Sequence, residues 1–113
     1  MLNKKYRFHS RGGVKFVYRH GKTLRRPDLS LVFCDNDRGK TRFAVVVSKK
    51  IDKTAVGRNR IRRRLYEAIR LDFDKLKKPR DYIFVVYSKN LLTLPFPELQ
   101  KLLRSLLEES MLQ

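Results

Sequence analysis

Two runs rich in β-branched and aromatic residues, 43–48 (FAVVVS) and 81–87 (DYIFVVY), are separated by a segment that reads as one long helix. Between them Ile61, Leu65, Ala68, Ile69, Phe73 and Leu76 recur at helical spacing over residues 54–77, with Thr54 as a plausible N-cap and Lys78-Pro79 as a stop. A strand, a helical crossover and a second strand predict two parallel neighbours, because a parallel pair requires a connection of this length. The run at 81–87 is apolar enough to be a central strand.

The remaining segments fit around that unit. Val14, Val17 and Tyr18 fall at i, i+3, i+4 and predict a short amphipathic helix over residues 11–20, ending near Gly21. Gly12 and Gly13 are expected to precede it, since each costs about 1 kcal/mol relative to alanine inside a helix. Residues 29–34 (LSLVFC) alternate as a half-buried strand, and the turn-rich stretch 35–40 (DNDRGK) is expected to join them to residues 43–48 as a hairpin. Leu99, Leu102, Leu103, Leu106 and Leu107 form the stripe of a last helix with Pro97 in its first turn. The expected fold is a single α/β (α+β) domain over residues 1–113, in the order α-β-β-α-β-α with a further short strand near 23–27.

Charge indicates the class of partner. With 28 Lys and Arg against 11 Asp and Glu the chain stands at +17, and the excess is confined to two stretches. Residues 1–26 hold nine basic residues and no acid, and residues 49–80 hold thirteen basic and four acidic. Such clustering focuses potential and fits a polyanion, whereas a merely solubilising surface would intersperse both signs. The sequence leaves open whether residues 1–10 are a flexible basic arm. One cysteine, Cys34, excludes an internal disulfide, and beside His9 and His20 it makes no zinc-ligand set. A reducing, cytoplasmic setting is expected. No stretch has the length and apolarity of a bilayer span.

The densest charge lies at residues 58–64, where five of seven residues are arginine. If Ile61, Leu65 and Ile69 face inward, Asn59, Arg60, Arg63 and Arg70 gather near the opposite side with Arg64 flanking. Guanidinium groups donate to phosphate through a planar fork and keep their charge at physiological pH. With Thr54 as the cap, Asn59 lies within the helix and its amide is free beside the arginines.

Residues 43–70, FAVVVSKKIDKTAVGRNRIRRRLYEAIR, resemble the bacterial ribonuclease P protein family, through a strand ending in Ser48-Lys49-Lys50 and a helix bearing Arg58-Asn59-Arg60. Residues 16–22 (FVYRHGK), the strand at 81–87 and the leucine-rich helix follow in the family's order. The resemblance implies an α-β sandwich with a left-handed β-α-β crossover, against the usual right-handed rule. It implies a subunit without catalytic residues of its own, in an endoribonuclease whose RNA holds most of the Mg2+ and removes the 5′ leader of precursor tRNA. The implied partners are the catalytic RNA, met by Arg58, Asn59, Arg60, Arg62, Arg63, Arg64 and Arg70, and the leader, lying in a cleft of Val14, Tyr18, Ser30, Val32, Lys49 and Lys50. No membrane and no protein partner are required. Val14 and Val32 stand where the family commonly has aromatic residues, so stacking in the cleft is expected to be thinner, and Tyr18 could equally be core.

Other readings share part of this pattern. A ribosomal protein would match in charge and size but not in the passage from Ser48-Lys49-Lys50 to Arg58-Asn59-Arg60. A self-sufficient nuclease would need a catalytic cluster, yet Asp72 and Asp74 are two apart and cannot share a helix face. A DNA-binding regulator would be expected to pair the arginine helix in a helix-turn-helix, and no such pairing is evident.

Overall fold

A computed structural model describes residues 2–8, 11–72, 76 and 79–113. The principal elements are α1 (Arg11–His20), β1 (Lys22–Arg25), β2 (Leu29–Asp35), β3 (Arg42–Val47), α2 (Ala55–Asp72), β4 (Arg80–Val86) and α3 (Phe96–Met111). The fold is mixed α and β, one four-stranded sheet with three helices.

Sheet order is β1-β2-β4-β3. Strand β4 runs antiparallel to β2, with Val32 opposite Ile83, and parallel to β3, with Ala44 opposite Ile83. The parallel pairing across the long helix and the central place of β4 follow the expectation. The hairpin expected between residues 29–34 and 43–48 does not form, because β4 lies between them. The antiparallel hairpin is instead β1 with β2, in the register Leu24 to Leu31. Residues 35–40 are therefore a loop that passes over the end of β4, where the Asn36 side chain donates to Asp81 Oδ1 at 2.9 Å.

Strand alternation assigns each face its helices. Leu29, Leu31 and Phe33 of β2, Phe43, Val45 and Val47 of β3, and Tyr82, Phe84 and Val86 of β4 form the main core with α2 and α3. There Ile61, Leu65 and Ile69 meet Leu99, Leu103 and Leu106, all wholly buried. The opposite face, Val32, Ala44 and Ile83, packs against Val17 of α1 and against Phe8. Strand β2 is thus buried on both faces, not half-buried. Residues 2–8 do not behave as a free arm: Leu2 and Phe8 are buried, and the Phe8 amide donates to Phe43 O at 2.9 Å along the outer edge of β3.

Helix limits also depart from expectation. Helix α1 begins at Arg11 and includes Gly12 and Gly13, so docking of Val17 on the sheet outweighs their poor propensity. Gly21 closes it where a Cβ would stand 2.7 Å from Phe33 O, and only glycine permits that approach. Helix α2 is described to Asp72; Leu76 lies outside it, and Phe73 and Asp74 lie outside the described residues.

Candidate nucleic-acid interface

The arginine helix takes its register from its first turn. Thr54 Oγ1 accepts the Gly57 amide at 3.0 Å, the N-cap bond expected of it. Asp52, 7% exposed, accepts both the amide and the hydroxyl of Thr54 at 2.8 Å. Those two bonds, the amide foremost, hold the Asp52 carboxyl below the usual carboxylate range. Gly57 packs directly on this turn, since a Cβ there would fall 2.0 Å from Asp52 Oδ2.

With that start fixed, Asn59, Arg60, Arg63 and Arg70 are exposed, and Arg62 is half-buried beside them with its Nη1 donating to Asn59 Oδ1 at 2.5 Å. Two of the seven candidates are engaged differently. Arg58 Nη1 donates to the backbone oxygens of Asp52 and Lys53 at 2.9 and 3.0 Å, locking the preceding turn. Arg64 donates to Leu91 O and Leu94 O and so fastens the segment between β4 and α3 to α2. These two guanidiniums serve the fold first, because backbone carbonyls take their donors. Arg70 pairs with Glu67, its Nε donating at 3.0 Å, and is the largest cause of that carboxyl's being held down at about 2.

Among the cleft candidates, Ser30 is wholly buried and Val32 is 5% exposed, so both lie beneath α1 and not on an accessible wall. The accessible floor is one register row over, where Val46 and Val85 face each other and both are half-buried. Val14 is half-buried and Tyr18 is 45% exposed, which takes Tyr18 out of the core. Burial, and then the neighbouring Tyr87, push the Tyr18 hydroxyl pKa up. Lys49 and Lys50 are exposed in the turn leaving β3. Sequence reasoning missed Val46, Val85 and Tyr87, although alternation from Ile83 reaches Val85 and Tyr87, and alternation from Ala44 reaches Val46.

Cleft and arginine helix meet at the edge of β3. A cavity of about 700 Å³ is lined there by Val14, Ala44 and Val46 on one side and by Asn59, Arg62 and Arg63 on the other. Arg7 also reaches it, 5.2 Å from the Tyr66 ring centroid, with its Nε buried and without a hydrogen-bond partner among the described residues. This surface is apolar in its floor and cationic at its rim, the composition that suits unpaired nucleotides. Among the described residues no three His, Cys, Asp or Glu side chains gather as a metal-ligand group, and no helix is long and apolar enough to cross a membrane.

Comparison with known proteins agrees with this geometry. A family model described as Ribonuclease P matches residues 2–111. The ribonuclease P protein component of Roseiflexus castenholzii is 34% identical over 109 residues, covering 96% of this chain and 88% of its own length. That of Symbiobacterium thermophilum is 34% identical over 110 residues, covering 96% and 94%. Solved ribonuclease P proteins from Staphylococcus aureus and Thermotoga maritima superpose with TM-scores of 0.80 and 0.82 at 22% and 23% identity. They cover 93% and 91% of this chain, and 94% and 96% of theirs, which establishes a shared fold. The chain accordingly belongs to the ribonuclease P protein component family, the protein part of a tRNA-processing ribonuclease.

Proposed function

We propose that the chain binds the ribonuclease P catalytic RNA through the exposed face of α2 and the 5′ leader of precursor tRNA through the cleft beside α1, in the cytoplasm and with no further protein partner. The observation that carries this reading is the cavity at the β3 edge, because it joins the cleft at Val14 and Val46 to Asn59, Arg62 and Arg63. A strand leaving the cleft there meets guanidiniums without crossing an apolar barrier. Asn59, Arg60, Arg62 and Arg63 would hold the RNA subunit, with Arg70 at the far end. Arg58 and Arg64 would act by keeping the helix in place.

In this reading the protein supplies no dedicated magnesium site. Asp35, Asp72 and Asp81, which could otherwise approach a metal, are paired with Arg80, Arg104 and Arg42. The reading therefore leaves Mg2+ mainly to the RNA subunit, while the protein's cations lower repulsion between ribozyme and substrate. The test is reconstitution with a bacterial ribonuclease P RNA and precursor tRNA. Addition of the chain should bring leader removal to Mg2+ concentrations at which the RNA alone is slow. Cleavage by the chain without RNA, or no effect of the chain on the RNA, would overturn the proposal.

A further inference from the structure

The cleft has a second half-exposed aromatic that its helix does not supply. We propose that Tyr87 and Tyr18 together form a base-stacking site at the open end of the cleft, holding one unpaired nucleobase of the single-stranded leader. The proposal rests on the reading of the cleft as the leader's path, and adds a residue and a position to it.

Backbone geometry fixes where Tyr87 stands. Its amide donates to Asp28 O at 2.8 Å, which carries the β2–β4 ladder one pair beyond Leu29 and Val86. Strand alternation then continues through Tyr87, so its side chain leaves the sheet on the face of Ile83 and Val85, the face that α1 covers. On that face Val85 stands beside Val46, the half-buried floor of the cleft. Tyr87's influence on the Tyr18 hydroxyl sets the two residues in one neighbourhood.

Exposure separates Tyr87 from the other aromatics of the sheet. Phe33, Phe43, Tyr82 and Phe84 are all buried, whereas Tyr87 and Tyr18 are each 45% exposed. A tyrosine that merely capped the core would bury its ring and leave its hydroxyl to solvent. Two half-exposed rings at the end of an apolar floor instead leave stacking surface uncovered. Cations bracket the same end. Lys49 and Lys50 follow β3, and Lys89 lies two residues beyond Tyr87 with its Nζ 3.8 Å from Asp52 Oδ2, which ties the end of β4 to the turn that carries the lysines. An aromatic platform flanked by lysines takes a base on its ring and the adjoining phosphates on its charges, with little preference among bases.

The test uses the holoenzyme assembled with ribonuclease P RNA, and compares affinity for precursor tRNA with affinity for mature tRNA. Tyr87→Leu keeps the bulk and removes the ring; it should weaken precursor tRNA binding by roughly 5- to 100-fold and leave mature tRNA binding unchanged. Tyr87→Phe should bind as the parent does, since stacking needs the ring and not the hydroxyl. Scanning single abasic nucleotides through the leader should find one position whose loss weakens the parent and does not weaken Tyr87→Leu further. Full precursor affinity in Tyr87→Leu, with Tyr18→Ala and Lys50→Ala still selectively impaired, would overturn the role of Tyr87 and keep the leader reading. If none of these variants distinguishes precursor from mature tRNA, the leader reading itself falls. The abasic scan on the parent decides the matter even if a variant folds poorly, because absence of any sensitive position rules out a stacked base.

Discussion

Arginines with identical side chains have different work in α2, and substitution should separate them. Asn59→Ala, Arg60→Ala and Arg63→Ala remove exposed groups, so melting temperature should hardly change while affinity for the RNA subunit falls. The two arginine changes should cost more than the asparagine change, because hydrogen bonds from a charged donor to phosphate are the stronger class. Arg64→Ala should do the reverse and lose about 2 kcal/mol of stability, as Leu91 O and Leu94 O lose their donor. Thermal melts beside RNA-subunit titrations check all four, and a large melting shift for Asn59→Ala would mean that its side chain supports the helix. The outward face of α2 was legible because helical periodicity sets which residues oppose Ile61 and Leu65. The diversion of Arg58 and Arg64 was not, since their carbonyl acceptors belong to a preceding turn and to a segment 27 and 30 residues away. The burial of Ser30 was equally hidden, because alternation names a face but not the helix that covers it.

Among elements, the start of α2 is sensitive to acid. The Asp52 carboxyl is held below its ordinary range in the folded chain, so its contribution is full above the unfolded value of about 4 and disappears as pH falls through the folded one. Asp52→Asn keeps the acceptor oxygen and removes the charge. The melting temperatures of the parent and this variant should therefore differ most near neutrality and converge as pH falls below that unfolded value. A gap that stays constant over that range would mean that the charge of Asp52 does not contribute. The elements themselves were largely readable, including the parallel β3–β4 pair, because a long amphipathic insert between two apolar runs admits few connections. The false hairpin shows where such reading stops. Residues 35–40 have good turn chemistry, but turn chemistry says only that the chain bends, while the neighbour of β2 is decided by β4, which arrives 45 residues later in the register of Asp35 with Arg80.

At the scale of the whole molecule, a charge of +17 in two blocks should make binding strongly salt-dependent. Each phosphate neutralised contributes a log-log slope of about −0.7 on single strands and −0.9 on duplex, so titrations across monovalent salt should fall steeply. A flat response would remove electrostatics as the source of affinity. Sheet order also has a consequence for the order of synthesis. Among the described strands β4 is the one that pairs with β3, and it is the second partner of β2, yet it follows both in the chain. While α2 is being made, the growing chain carries β2 and β3 with edges that nothing yet covers, and such edges invite pairing between neighbouring copies. The stretch synthesised during that interval is the arginine-rich one. Like charge on every nascent copy would oppose that pairing until β4 closes the gap, so the cations proposed to hold RNA would also guard the chain against itself before it has folded.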